Sequence, residues 1–294
     1  MKLWGGLAVV PAIAAAGTFQ VRDPPASVYA SAGRGHVGYY DFDNDTKHLF
    51  FWLAESRSDP ANDPVVLWMS GGPGASSVAF GLFQELGPCL INGANATIPN
   101  PYAWNNNANI IFVEKRSVYF IFDEHLNPYD FRKPCPDGGL CYEEADWIAG
   151  YLNSSSMKLE LGVPEDVAFN IIDYELGQYF DQSGDVSFDT VSWAGELLDK
   201  GYKVLVYAGN KDWFCNSAGE KNLVHNIRWR HQPAFQAQDF QTYTLDGKRI
   251  GLFKEEKALS FAEIFDAGHM VPAEKSKESL FLITSWIKGE LTST

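Results

Sequence analysis

Residues 259–288, LSFAEIFDAGHMVPAEKSKESLFLITSWIK, constrain the fold more than any other stretch of the sequence. The first ten residues are mostly apolar and predict a strand that ends at a glycine, and residues 275–288 predict a helix. Three apolar residues would share the buried face of this helix: Leu280, Ile283 and Ile287. His269 stands on the loop between the two elements. Because α/β sheets collect catalytic groups on loops that follow strands, His269 is a candidate general base.

The same alternation of strand and helix runs through the rest of the chain. Apolar runs predict strands at residues 36–42, 48–56, 64–69, 108–113 and 203–209. Helical periodicity is found at residues 77–85, 143–152 and 186–198, and residues 241–253 read as a hairpin that turns at Asp246-Gly247. This order predicts an α/β fold, with a mostly parallel sheet and helices on both faces. One domain over residues 18–294 is the simplest division.

The amino-acid composition limits the kinds of molecule that the protein can bind. The 294 residues are 46% apolar with nine tryptophans, which is enough for a large core, and the formal net charge is −14. Such a charge is repelled by phosphate, so it argues against nucleic acid and anionic membranes as partners.

The first 17 residues predict a signal peptide, because Lys2 is followed by a short apolar run and then by small residues. A buried N-terminal helix is the alternative interpretation. We therefore expect a secreted or vacuolar protein, and no later segment is apolar enough to predict a membrane span. Three glycosylation triplets fit the secretory route and begin at Asn44, Asn95 and Asn153.

The four cysteines fall into two groups. Cys135 and Cys141 flank a loop that contains proline and glycine, which predicts a disulfide between them. A zinc site is the rival interpretation, but no histidine pair with ligand spacing lies nearby. Cys89 and Cys215 remain without an obvious partner.

Three loops that follow predicted strands could carry chemistry. In WMSGGPGASS, Gly71 and Gly72 would leave backbone N–H groups free for an oxyanion, although a plain strand-to-helix turn is also possible. Asp212 follows the strand at 203–209 and could orient an imidazole or cap a helix. His269 lies on the third loop. Asp212 and His269 have the last two places of the nucleophile–acid–histidine order of α/β-hydrolases.

Several blocks of the sequence resemble the serine carboxypeptidase family. Four of them look like its signature blocks: VVLWMSGGPGASS, NPYAWNNNANIIFVE, KVLVYAGNKDWFCN and FDAGHMVP. Two more are similar to the stretch between the nucleophile and the acid in this family: NPYDFRKPCPDGGLCY and HQPAFQ. The blocks extend from about Gly38 to Ile287, so the resemblance covers almost the whole predicted mature chain.

The resemblance implies roles for matching residues. Asp212 and His269 would be the acid and base of a catalytic triad, and Gly71 and Gly72 would form the oxyanion loop. Three residues would bind the free carboxylate of a peptide C-terminus: Trp68, Glu85 and Ser70, which replaces the asparagine usual in the family. Two would line the pockets beside the scissile bond: Cys215, as a free thiol, and Met270. The resemblance implies peptide or protein C-termini as substrates, with no cofactor or metal ion, and leaves the oligomeric state open.

The nucleophile is the missing element. No Gly-x-Ser-x-Gly occurs, and NIIFVEKRSVYF runs directly into IFDEHLNPYDF, so a central block is absent near residues 120–121. The block would have supplied the nucleophile strand and a cap, and strands beside it would lose their ladder partners. Ser76 and Ser77 are poorly placed substitutes.

Three hypotheses follow from this gap. In the first, the complete protein is a serine carboxypeptidase and this chain is inactive. In the second, the chain is a secreted pseudoenzyme that binds peptides. In the third, it is a related acyl hydrolase or acyltransferase.

Overall fold

The computed structural model describes residues 18–25, 28, 34–42, 47–70, 76–93, 96–113, 125–135, 141–184, 190–289 and 291. Several predictions fall outside these residues: the signal peptide at 1–17, the oxyanion glycines Gly71 and Gly72, the triplets at Asn44 and Asn95, and the junction at 120–121. None of the described helices is both long and apolar enough to cross a bilayer.

Thirteen strands are present in the described part of the chain. They are β1 (Thr18–Arg22), β2 (Gly35–Phe42), β3 (Lys47–Ala54), β4 (Val65–Trp68), β5 (Cys89–Ile91), β6 (Thr97–Pro99), β7 (Asn109–Val113), β8 (His125–Leu126), β9 (Pro134–Cys135), β10 (Val204–Gly209), β11 (Gln241–Leu245), β12 (Lys248–Glu256) and β13 (Leu259–Ile264). Every run predicted as a strand forms one. The apolar and β-branched residues that define these runs cover the faces that become buried.

A π-helix, Ser77–Glu85, follows β4, and a single 3₁₀ turn, Trp104–Asn106, precedes β7. The α-helices are α1 (Glu143–Leu152), α2 (Ser155–Leu161), α3 (Tyr174–Ser183), α4 (Val191–Asp199), α5 (Ser217–Asn226), α6 (Gln232–Ala237), α7 (Val271–Glu274) and α8 (Ser276–Lys288). The helices predicted at 77–85, 143–152 and 275–288 are confirmed. In the described part of the predicted helix 186–198, α4 begins at Val191.

The first large sheet is built from the N-terminal strands in the order β1-β2-β3-β7-β4. Neighbouring strands are antiparallel except β4 and β7, which run parallel. The buried side chains of this sheet, among them Trp52, Ile110 and Phe112, pack against the π-helix and α1, which contribute Phe83 and Ile148. This packing forms the main core of the molecule.

The second large sheet has the order β10-β13-β12-β11. β10 and β13 run parallel, and the remaining pairs are antiparallel. The β11–β12 hairpin turns at Asp246 and Gly247, whose φ angles of 51° and 71° suit the turn predicted from the Asp-Gly pair. With helices packed on the sheets, the predicted α/β class is confirmed. The described strands are not mostly parallel as predicted, since two of the seven neighbouring pairs in the two large sheets run parallel and five run antiparallel.

Each of the two large sheets has an edge formed by a strand with a nearby catalytic-loop candidate. In the described part of the chain, β4 forms one edge of the first sheet and β10 forms one edge of the second. Val65 and Leu67 on β4 are 63% and 57% exposed, although their apolar side chains are typical of a strand with neighbours on both sides. Trp104 connects the two sheets, since its ring lies 6.3 Å from that of Tyr207 on β10.

Candidate active site

Asp212 and His269 meet beyond the ends of two neighbouring parallel strands. Asp212 follows β10 and His269 follows β13, and Nδ1 of His269 lies 2.8 Å from Oδ2 of Asp212. The backbone N–H of Cys215 donates to the other carboxylate oxygen, Oδ1, at 3.1 Å. Asp212 is buried, whereas the His269 side chain is 36% exposed. This is the arrangement in which a fixed carboxylate orients a partly accessible imidazole.

Close backbone packing holds the two loops together. A Cβ on Gly209, at the end of β10, would overlap the carbonyls of Ala267 and Gly268. The N–H of Lys211 donates to the Ala267 carbonyl at 2.8 Å, which joins the loop that carries Asp212 to the loop that carries His269. Only glycine permits this approach, so the sequence around both loops sets the distance between acid and base.

The segment at residues 127–133 braces both loops from the other side. The N–H of His269 donates to the Tyr129 carbonyl at 2.7 Å, and the N–H groups of Trp213 and Phe214 donate to the Pro128 carbonyl. The Tyr129 ring lies 5.2 Å from the imidazole. This segment belongs to the block NPYDFRKPCPDGGLCY, but its sequence gives no signal that Tyr129 contacts the histidine.

An ionic cluster fixes the same segment. Arg132 donates through Nε and Nη2 to the two carboxylate oxygens of the buried Asp130, at 2.8 and 2.7 Å. Nη2 also donates to Glu274 at 3.0 Å, and Glu274 accepts from the N–H of Gly268 at 3.0 Å. Burial alone would raise the pKa of Asp130, but the hydrogen bonds from Arg132 outweigh it and lower that pKa. The cluster therefore ties the His269 loop to α7, and the sequence did not reveal it.

The surroundings of His269 favour the protonated imidazole. Burial opposes a charge on the ring, but the hydrogen bond and charge of Asp212, together with the side chain of Cys215, raise the pKa of His269 to about 10. Glu85 and Glu220 add negative charge nearby. The Asp212 carboxylate therefore stabilises the positive charge that forms on the ring when it accepts a proton.

The residues assigned to carboxylate binding lie at the start of the π-helix and at its end. Trp68 Nε1 donates to Ser70 Oγ at 3.3 Å, and the N–H of Ser70 donates to Ser77 Oγ at 3.0 Å. Glu85 is buried, which raises its pKa from 4.5 to about 7, and it interacts electrostatically with His269. A carboxyl that keeps its proton can donate a hydrogen bond to a substrate carboxylate. The binding roles of these residues stay predictions.

Cys215 and Met270 flank the dyad. Cys215 is a half-buried free thiol, as predicted, and Met270 is buried beside a cavity of about 530 Å³. Among the described residues, one group has the proximity that a metal ion requires: Asp212, Cys215 and His269, whose ligand atoms all lie within 4.8 Å of one another. Because Nδ1 of His269 already faces Asp212, a metal bound there would break that hydrogen bond.

The remaining predicted residues are distributed around the molecule. Cys135 and Cys141 are joined by a disulfide, as predicted. The side-chain amide of Asn153 donates to the carbonyls of Ala149 and Phe169, so a glycan at this position would compete with both bonds. Ser76 and Ser77 are fully buried, and their hydroxyls accept from the backbone N–H groups of Ala79 and Ser70. Neither serine faces the imidazole as a nucleophile would.

Comparison with known proteins agrees with this geometry. A family model described as serine carboxypeptidase matches residues 25–117 and 117–289. Carboxypeptidase Y of Komagataella phaffii is 24% identical over an alignment of 415 residues that covers 92% of this chain and 79% of that protein. Carboxypeptidase Y homolog A of Pyricularia oryzae is 25% identical, with 90% of this chain and 75% of that protein covered.

Solved structures show the same fold. The crystal structure of Kex1(delta)p, a prohormone-processing carboxypeptidase from Saccharomyces cerevisiae, has a TM-score of 0.74 to this structure at 14% sequence identity. The match covers 91% of this chain and 94% of that chain. Because the serine carboxypeptidase model matches most of the chain, and the Asp212–His269 pair is in place, the chain belongs to the serine carboxypeptidase family.

Proposed function

We propose that the complete protein releases C-terminal amino acids from peptides by Ser-His-Asp acyl transfer, and that this chain lacks the serine. The hydrogen bond of 2.8 Å between Asp212 and His269 carries the proposal, because it fixes an imidazole at the point where two parallel strands end. In the complete protein, His269 accepts the serine proton and returns it to the leaving amino group, while Asp212 holds the ring. The N–H of Gly72 stabilises the oxyanion.

Three observations support an absent central block. The family model matches in two pieces that meet at residue 117. The alignment with the Komagataella phaffii protein is longer than this chain, so part of that protein faces a gap. In the described part of the chain, β4 and β10 are both edge strands, and a strand placed between them would join the two sheets.

Sequencing the transcript across the codons for Val113 to Asn127 tests the proposal directly. We expect an in-frame insertion that encodes Gly-x-Ser-x-Gly, and the restored protein should release the C-terminal residue from an N-blocked dipeptide. A transcript that reads straight through VYFIFDEH would refute the absent block. Replacing the inserted serine with alanine should abolish the release while leaving the thermal unfolding curve unchanged.

The 294-residue chain itself is expected to be inactive as a serine hydrolase. A fluorophosphonate probe should not label it, because Ser76 and Ser77 are buried and their hydroxyls already accept hydrogen bonds. Labelling of either serine would contradict this expectation. The restored protein provides the positive control, since its inserted serine should react.

Glu85 supports a peptide C-terminus as the substrate group. Its raised pKa keeps the carboxyl protonated below about pH 7, where it can donate to a carboxylate, so release should be favoured at acidic pH. Ser70 departs from the family's usual asparagine, which keeps a related acyl hydrolase or acyltransferase as the alternative. Comparing a free peptide acid with its C-terminal amide separates them, since only a carboxypeptidase should prefer the acid.

A peptide-binding pseudoenzyme is the second candidate. It is favoured by the intact Asp212–His269 bond and the formed disulfide in a chain without Gly-x-Ser-x-Gly. Cooperative thermal unfolding together with saturable peptide binding and no turnover would support it, and aggregation on expression would count against it. We place either form of the protein on the secretory route, from the signal-like residues 1–17. N-terminal sequencing of the mature protein should find a start near residue 18.

A further inference from the structure

Cys215 places a nucleophilic thiol beside the Asp212–His269 pair. Its Sγ, a ring nitrogen of His269 and a carboxylate oxygen of Asp212 all lie within 4.8 Å of one another. The backbone N–H of Cys215 donates to Asp212 Oδ1, so the backbone that carries the thiol is held by the same carboxylate that orients the imidazole. The residue is only half-buried, and small reagents can therefore reach it.

The other free cysteine provides an internal contrast. Cys89 lies in the main core without exposed surface, and burial raises the pKa of its thiol to about 12, with only partial opposition from Arg57. A thiol in such a setting is unreactive at neutral pH, since the thiolate is the nucleophilic form. The two free thiols of this chain thus differ sharply in their surroundings.

We propose that Asp212, His269 and Cys215 form a thiol-based acyl-transfer site in this chain. Cys215 is the nucleophile, His269 is its proton acceptor, and Asp212 positions the imidazole. The substrates are activated acyl groups, namely esters and thioesters, because their leaving groups depart more easily than the amine of a peptide bond. Nothing in the serine mechanism assigns this role to the thiol.

The reaction proceeds in two steps. In the first, the Cys215 sulfur attacks the acyl carbon, the carbon–sulfur bond forms, the carbon–oxygen bond of the ester breaks, and the thiol proton passes through His269 to the leaving alcohol. In the second, water attacks the thioester, His269 accepts a proton from the water, and the thiol is released with a carboxylic acid. Water is the only further reactant, and no redox change occurs.

The charged groups around His269 suit this chemistry. Besides Asp212, the titratable groups that act on His269 are Glu85, at the end of the π-helix, and Glu220, on α5. Both stabilise the imidazolium. Cys215 also directly precedes Asn216, the N-cap of the ten-residue helix α5, and helix N-termini favour negative charge.

Acetylation of the purified 294-residue chain by p-nitrophenyl acetate at pH 7 tests the proposal. We expect peptide mapping to find one acetyl group on Cys215 and none on Cys89. The rate should exceed that of N-acetylcysteine at the same pH by at least about tenfold. An acetylation rate no higher than that of N-acetylcysteine, or equal labelling of Cys89 and Cys215, would overturn the proposal. So would a rate that rises only after treatment with a chelator, since a metal would then occupy the site.

Substitutions distinguish a Cys215 thiol that His269 activates from a thiol that is merely exposed. His269→Gln should lower the acetylation rate of Cys215 to that of N-acetylcysteine, and Cys215→Ser should abolish the signal. Cys89→Ala is the control and should leave the rate unchanged. An unchanged rate in His269→Gln would also refute the proposal. Fluorophosphonate labelling tests the serine, whereas acetylation tests the thiol. A negative acetylation result would therefore leave the proposed carboxypeptidase function unaffected, and a negative fluorophosphonate result would leave the proposed thiol site unaffected.

Discussion

His269 is partly buried and lies near three carboxyl groups, those of Asp212, Glu85 and Glu220. Of the three, Asp212 has the largest effect on the pKa of His269. Asp212 bonds directly to Nδ1, so its charge is a main reason why the pKa of His269 is raised. We expect Asp212→Asn to lower that pKa by about 1–3 units, because the imidazolium loses its bonded anion while the burial that disfavours it remains.

An NMR titration of the His269 ring protons measures this shift. Asp266→Asn is a matched control: Asp266 lies on the same loop, is exposed, and has a φ of 55° that asparagine adopts easily. The control should leave the titration of His269 where it was. An equal shift in both variants would mean that the general charge of the loop, and not the bonded carboxylate, sets the pKa.

Glu85 gives the folded protein a pH dependence of its own. Between about pH 4.5 and pH 7 the folded state keeps a proton on Glu85 that the unfolded chain has lost, so the free energy of unfolding falls as the pH rises. The shift corresponds to roughly 3 kcal/mol in total. Glu85→Gln, which is neutral throughout, should remove this part of the decline.

Urea unfolding at several pH values checks the prediction. Glu196→Gln is the control, because Glu196 is exposed on α4 and pairs only loosely with Lys200, at 3.6 Å. A pH profile of Glu85→Gln identical to that of the wild type would show that Glu85 titrates normally.

For single residues, the sequence predicts which residues form the site better than it predicts their protonation and their contacts. Asp212 and His269 could be predicted because each follows a strand and because their order in the chain is that of a known triad. The protonated state of Glu85, the closeness of Cys215 to the imidazole and the ionic cluster around Arg132 could not. Each of these features depends on burial or on contacts between residues far apart in the sequence. The local sequence pattern gives no information about either.

Among the elements, the π-helix packs so closely on β4 that one of its positions must be glycine. It starts at the loop that should hold the oxyanion, and all nine of its residues are buried. Gly81 lies directly under the indole of Trp68, so a Cβ there would overlap the ring and also approach Phe112 at 3.1 Å. The helix can approach β4 this closely only because residue 81 has no side chain.

Gly81→Ala should therefore destabilise the protein by about 1–3 kcal/mol, as extra atoms do in a packed core. Gly219→Ala on α5 is the matched control. There the nearest atom to the added Cβ would be Asn216 Oδ1 at 3.4 Å, and alanine favours the helix, so stability should hold or rise. Urea denaturation compares the two, and equal stability of both variants would contradict the tight packing.

The strands of the two large sheets other than β1, and the helices α1, α4 and α8, followed from the sequence, whereas the short strands and the remaining helices did not. The apolar runs that became β7 and β13 are largely buried on both faces, the run that became β10 is partly buried, and the spacing in α8 matches a helix with one buried face. The helices α2, α6 and α7 have only seven, six and four residues. Such short segments contain too few turns for a periodic pattern and form because the surrounding chain packs on them.

For the molecule as a whole, the division into two sheets has a direct consequence for association. Strand β4 presents unpaired backbone groups and the apolar side chains of Val65 and Leu67 at the edge of the first sheet, within the described residues. Exposed apolar edges promote pairing between copies. Leu67→Lys should therefore reduce self-association as protein concentration rises, because a charge at the edge opposes strand addition.

Sedimentation velocity over a range of concentrations measures this effect. Leu197→Lys is the control, since Leu197 is 45% exposed but lies on a helix, α4, and offers no strand edge. The control should associate like the wild type. If both lysine variants reduced association equally, net charge rather than the edge would be responsible. The loss of ladder partners stays a prediction, and within the described residues the structure identifies β4 and β10 as edge strands.

The positions of the strands in the sequence also determine the order in which the two large sheets can form during translation. All strands of the first sheet lie before residue 114, and all strands of the second lie between residues 204 and 264. A ribosome that adds about 5–20 residues per second therefore finishes the first sheet roughly 8–30 seconds before the second. Trp104 cannot pack against Tyr207 until that residue is translated, and its hydrogen-bond acceptor Ser279 follows later still. Part of the indole surface of the nascent chain therefore stays uncovered after the first sheet is complete, and its hydrogen bond forms only once the last helix has been translated.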